Sequence, residues 1–236
     1  MAARPALSAA SGFIVSGLAL AAYPVFRPYS SEAGLDGARA FASTAWPVSH
    51  LLGMVGFTAL ALALRALASG SSAAWTGRAI RGAETLAWLA TAFLLPYYGA
   101  EAFGLHALGA YAAESGDIAV LDVADSFRYA PLAMTTFAIG LLLLLVVGVR
   151  LAMGFWRSGP VGRVGGILAG AGAVTYLPQF FGTPVLRMGH GLVLGTGLVL
   201  LGLAVARAGA GSELARTAPE VGLPTGHRDE VASGAN

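Results

Sequence analysis

Tyr129-Ala-Pro-Leu-Ala-Met-Thr-Thr-Phe-Ala-Ile-Gly-Leu-Leu-Leu-Leu-Leu-Val-Val-Gly-Val-Arg150 reads as a membrane span. No charge falls before Arg150, and an α-helix needs about 20 apolar residues to cross roughly 30 Å of hydrocarbon. Five other long apolar stretches flank it, at residues 8–26, 46–67, 83–105, 164–182 and 185–206. With 129–150 they predict an all-α fold, a polytopic bundle of six transmembrane helices.

Composition agrees. Of the 236 residues, 56% are hydrophobic and only 11% charged, against about 25% charged in an average soluble domain. Residues 1–207 are taken up by the six-helix transmembrane domain. Residues 208–236 mix Gly, Ala, Ser and Pro with charges and show no apolar period, which predicts a disordered cytoplasmic tail. Cysteine is absent, excluding disulfides, thiolate metal ligands and a cysteine nucleophile. Lysine is absent too, so no Schiff base can form on a lysine. A net charge of +2 gives no reason to expect nucleic acid. The expected partners are the lipid bilayer, a small ligand and a membrane protein partner.

Arginine sets the orientation. Arg4, Arg65, Arg78, Arg81, Arg150, Arg157, Arg163, Arg207, Arg216 and Arg228 fall on one side of the six-span arrangement. Arg27, Arg39, Arg128 and Arg187 fall on the other. The positive-inside rule then places both termini in the cytoplasm of a plasma-membrane, multi-pass protein. A rival reading takes Arg4, a short apolar core and Ala19-Leu20-Ala21 as a cleavable signal peptide. The uncharged length of residues 5–26 favours a span instead.

The odd-numbered spans share a pattern: Tyr23-Pro24-Val25-Phe26, Leu95-Pro96-Tyr97-Tyr98 and Leu177-Pro178-Gln179-Phe180. The even spans each begin near a proline, at Pro47, Pro131 and Pro184. Three repeated helical hairpins would produce this. The ordinary preference of proline and aromatics for helix ends and the interfacial belt would too. Pro96 lies inside its span, so that helix should bend just beneath Glu101. Glycine pairs at 162/166, 166/170 and 191/195 suit close packing of spans five and six. Short interfacial helices are expected within 31–45 and 117–128, the second capped by Asp117.

A helix rises 1.5 Å per residue, so depth can be read along each span. His50, Glu101, His106, Gln179, Arg187 and His190 all fall near the same membrane face, and Arg128 begins span four. Ionisable groups at that depth are costly and usually face the bundle interior or a cavity. These six are the candidate ligand-binding residues. Each also has a plainer use: a hydrogen bond between helices for His50 or His190, a structural salt bridge to Arg187 or Arg128 for Glu101, and a place among headgroups for His106 and Arg187. His50, Glu101 and His190 would be an adequate zinc or iron set. His50 and His190 could ligate haem. A proton relay through Glu101 is also compatible. The first expected partner of Glu101 is Arg187, the second His50 or His190.

The stretches Leu95-Pro-Tyr-Tyr-Gly-Ala-Glu101-Ala-Phe-Gly-Leu-His106, Tyr176-Leu-Pro-Gln-Phe-Phe181 and Arg187-Met-Gly-His190-Gly191 resemble those of a group of small six-span integral membrane proteins from high-GC Gram-positive bacteria. The resemblance covers spans two to six. It implies the fold and carries no activity with it. Three readings of function follow from the residues. The leading one is an outward-facing polar pocket for a small ligand, proton or metal. The second is an integral membrane enzyme using Glu101 with His50 or His190. The third is a structural membrane subunit with no site.

Overall fold

A computed structural model describes residues 3–70 and 78–217, with side chains at 6–70 and 79–213. The described residues are helical, without strands. In chain order the helices are α1 (Ala3–Phe26), α2 (Gly34–Ala42), α3 (Ala45–Ser69), α4 (Arg78–Gly99), α5 (Leu105–Ser115), α6 (Asp122–Arg128), α7 (Pro131–Phe155), α8 (Gly159–Val174) and α9 (Pro184–Thr217). Four segments are long and apolar enough to cross a membrane: Ala6–Phe26, Ala45–Ser69, Pro131–Phe155 and Pro184–Glu213. They mark the chain as membrane-embedded.

The other two expected spans are less regular. The stretch 83–105 lies in α4, which continues through a π-helical turn, Ala100–Gly104, into α5. The stretch 164–182 is helical only to Val174, and a 3-10 turn, Pro178–Phe181, follows. Pro178 has no N–H to offer the Val174 carbonyl, so the α-helix stops there. At the other end of the chain, α9 runs to Thr217, so residues 208–217 are helical where a disordered tail was expected. The remainder of that tail, 218–236, lies outside the described residues.

Each principal helix packs on its neighbours in chain order: α1 on α3, α3 on α4, α4 on α7, α7 on α8 and α8 on α9. The last packs back on the first, and the six close into a ring. Glycine makes that closure. A Cβ on Gly17 would stand 2.5 Å from the Gly195 carbonyl oxygen, and one on Gly195 would stand 2.4 Å from that of Gly17. The 191/195 pair therefore faces α1, whereas the expectation had put it against span five. α8 meets α9 through other glycines, with Gly165 against the Gly197 carbonyl. Inside the ring the buried Ser16 hydroxyl donates to the Gly56 carbonyl, and Thr91 donates to those of Ala87 and Phe57.

One end of the ring is roofed. α2 packs on α5, and a 3-10 turn, Ile118–Leu121, leads into α6. Phe41, Trp46, Leu105, Leu121 and Ala124 form a second apolar core there. Asp117 accepts from the Ala119 N–H at 3.2 Å, the cap expected of it.

Candidate functional site

The site lies beneath this roof and is organised by Trp46, which is fully buried. Its indole N–H donates to the Glu101 backbone carbonyl at 2.7 Å. Glu101 lies in the π-helical turn that begins four residues after Pro96. Proline cannot donate to the carbonyl four residues back, so the ladder is already broken there. A π turn re-aims the residues that follow it. As a result Glu101 points into the ring, while His106 turns to the roof and donates from Nδ1 to the Phe41 carbonyl at 2.8 Å.

The Trp46 carbonyl accepts from the Ser49 hydroxyl at 2.8 Å and from His50 Nδ1 at 2.8 Å. A carbonyl only accepts, so Nδ1 carries the hydrogen and Nε2 of a neutral His50 is a bare acceptor. That Nε2 faces Glu101 Oε2 at 3.8 Å. The other carboxylate oxygen, Oε1, takes a hydrogen bond from Arg128 Nε at 2.7 Å. Arg128 Nη2 also reaches Glu32 Oε2 at 2.9 Å, and Glu32 Oε1 is bound by Arg27 at 2.5 Å. Arg27 closes the circuit by lying over the Trp46 ring, 4.7 Å from its centroid.

Buried charges persist where each has a partner, and here each carboxylate is paired with an arginine. Burial by itself pushes the Glu32 carboxyl up. The Arg27 and Arg128 guanidiniums outweigh that and hold it below the usual carboxylate range.

Arg27, Glu32, His50, Glu101 and Arg128 line a cavity of about 310 Å³ together with Tyr23, Tyr97, Tyr98, Phe137, Phe180 and Arg187. The lining is part ionic and part aromatic. Tyr97 stacks on Phe137, with centroids 4.2 Å apart. Below them the buried hydroxyls of Tyr98 and Tyr176 stand 2.9 Å apart.

Of the six expected site residues, His50, Glu101 and Arg187 line this cavity. The Glu101 partner is Arg128, with His50 second; Arg187 bonds the Phe180 carbonyl instead. His106 belongs to the roof. Gln179 and His190 line a separate, shallow hollow, and His190 Nε2 donates to the Gly172 carbonyl at 2.8 Å. The expected metal set is therefore split between two places. Among the described residues, no group of three histidines and acids could hold a metal ion. The haem pairing of His50 with His190 fails for the same reason.

Sequence reasoning used Arg27 only for orientation, gave Glu32 no role, and so missed their place in the site. The available signal was an Arg at the end of an uncharged span with an acid five residues on. Compared with known proteins, the chain matches no family model, and no curated protein or solved structure is similar to it.

Proposed function

We propose that this chain is a six-span protein of the plasma membrane with both termini cytoplasmic, and that its roofed cavity is an outward-facing site for a small ligand. One observation carries the reading. Arg27, Glu32, His50, Glu101, Arg128 and Arg187 come from separate parts of the chain and line a single cavity. Ligand pockets combine such a set of convergent polar groups with an aromatic lining, at volumes of about 300–1,000 Å³. The arginine distribution supports the orientation. The chain-order packing of the ring is compatible with three repeated hairpins, although Pro24, Pro96 and Pro178 meet three different backbones.

Native mass spectrometry of protein released from nanodiscs tests the site. A bound mass seen equally with wild type and His106→Gln, and changed in amount in Glu101→Gln, is the expected result. Identical spectra for all three would leave only the structural-subunit reading.

A second reading, an enzyme that moves protons, is favoured by the bare Nε2 of His50 facing Glu101 at 3.8 Å. In that reading the two groups share one proton as acid and base. His50→Gln would then abolish turnover while leaving the bound mass in place.

A further inference from the structure

The cavity is bordered at the axial end of the ring by ion pairs and at its side by exposed apolar residues. Glu32 ties Arg27, at the end of α1, to Arg128, at the end of α6, across the axial end. The gap at that side has a simple cause. α7 has 25 residues and α8 only 16, or about 37 Å against about 24 Å of helix. α8 packs on the far half of α7, with Gly166 against Leu151 and Phe155 and Gly170 against Gly148. On the side turned away from α4, the first turns of α7 face the 3-10 turn at 178–181, where Phe137 meets Phe180 with ring centroids 5.8 Å apart.

The rim of this gap is apolar and uncovered. Phe181 is 88% exposed, and Met134 and Leu177 are exposed beside it. An uncovered apolar rim on a membrane-embedded helix pair suits contact with lipid. Just inside it stands Arg187. The cavity holds three guanidiniums, at Arg27, Arg128 and Arg187, against the carboxylates of Glu32 and Glu101. The two acids are already taken by Arg27 and Arg128. Among the described residues Arg187 has no acidic partner; it donates to the Phe180 carbonyl and lies 5.9 Å from that ring. Among the described residues, the buried side-chain polar atoms without a hydrogen-bond partner are Arg187 Nε and the Tyr29 hydroxyl. Both can donate to an anion.

Building on the ligand-pocket reading, we infer that the occupant is an amphiphile with a single anionic head, which enters from the bilayer between α7 and the 178–181 turn and seats its head on Arg187. A volume of about 310 Å³ equals roughly ten waters at about 30 Å³ each. That holds a phosphate or carboxylate head and a few carbons. The rest of the chain stays in the hydrocarbon, past Met134 and Phe181.

The probe is dodecyl phosphate added to wild-type protein in neutral phosphatidylcholine nanodiscs, followed by thermal unfolding. Dodecanol and inorganic phosphate are the parallel arms. Dodecyl phosphate is expected to raise Tm, and the other two are not. Arg187→Gln should weaken its apparent affinity at least about tenfold, the loss of one hydrogen bond to a charged group. Arg187→Lys should recover part of it. Ala138→Trp, which fills the gap from α7, should weaken it similarly.

Equal binding of dodecanol would overturn the anionic head. Binding of inorganic phosphate that depends on Arg187 and ignores Ala138→Trp would overturn the lateral route but leave the pocket reading intact. If Arg187→Gln does not fold, undiminished dodecyl phosphate binding by Ala138→Trp overturns the proposal on its own. Failure of the pocket reading shows separately, as an unchanged bound mass in Glu101→Gln.

Discussion

Glu101 is 5% exposed; Oε1 is held by Arg128, while Oε2 faces the bare Nε2 of His50. Removing one member of a buried pair leaves the other without compensation, at about 3–5 kcal/mol. Glu101→Gln and Arg128→Gln should each lose stability on that scale, and the double change should lose less than their sum. A double-mutant cycle in nanodiscs should read a coupling above about 0.5 kcal/mol, whereas the same cycle with Arg187 should be additive within that margin. Strict additivity for Arg128 would mean that the contact does not hold in the membrane. Glu32 gives a second prediction, through pH. Its pKa is lowered in the folded protein, so the folded state binds its proton less readily than the unfolded one. The stability it contributes is present above the ordinary carboxylate pKa and is lost as pH falls through the lowered value. The Tm gap between wild type and Glu32→Gln should therefore be open near neutral pH and close on acidification. A gap independent of pH would assign the effect to packing. That Glu101 needed a cation was legible from its depth; which cation was not. Rise along a helix can be counted from the sequence, but the direction in which a side chain points depends on packing and, here, on a π turn whose form the proline ahead of it does not specify.

At the scale of elements, close approach of α1 to α9 depends on two glycines that face each other. A methyl on Gly195 would stand 2.4 Å from the Gly17 carbonyl oxygen and 2.7 Å from Ala21 Cβ. Neither contact is the far end of a flexible chain, so the helices themselves must move apart. Gly195→Ala should cost about 1–3 kcal/mol, the usual penalty of overpacking. Gly189→Ala, whose added methyl meets nothing within 4 Å, is the matched control. Denaturant or thermal unfolding in one detergent compares them, and equal midpoints would show that the ring does not close through this pair. Gly195 was visible in the sequence as a close-packing residue, whereas Gly17 was not. The partner of Gly195 was hidden because a small-residue pattern names a face of a helix without naming what lies on it. Prolines were more telling. Pro178 ends α8 early, and Pro96 stands just ahead of the irregular turn that carries Glu101, where a bend was expected.

For the whole molecule, the question is how many helices cross. Four qualify by length and composition, and a four-crossing chain with α4 and α8 lying flat would place residues 75 and 120 on one side and 158 on the other. Contacts at the two ends of α4 argue against that arrangement. Glu84, near its start, reaches Arg65 near the end of α3 at 3.6 Å, while Glu101, just past its end, lies beside His50 near the start of α3. α4 thus runs antiparallel to α3 over much of its length, which supports the proposed crossing of α4. α8 is held the same way against α9, with Gly162 near Ala204 at one end and Tyr176 on His190 at the other. Reporter fusions at residues 75, 120, 158 and 225 should therefore read inside, outside, inside and inside, the senses being set by the arginine bias. Fusions at 120 and 158 decide the crossing number, because the four-crossing chain exchanges both. Fusions at 75 and 225 decide the sense: an outside signal at either would turn the bundle over and put the cavity on the cytoplasmic face.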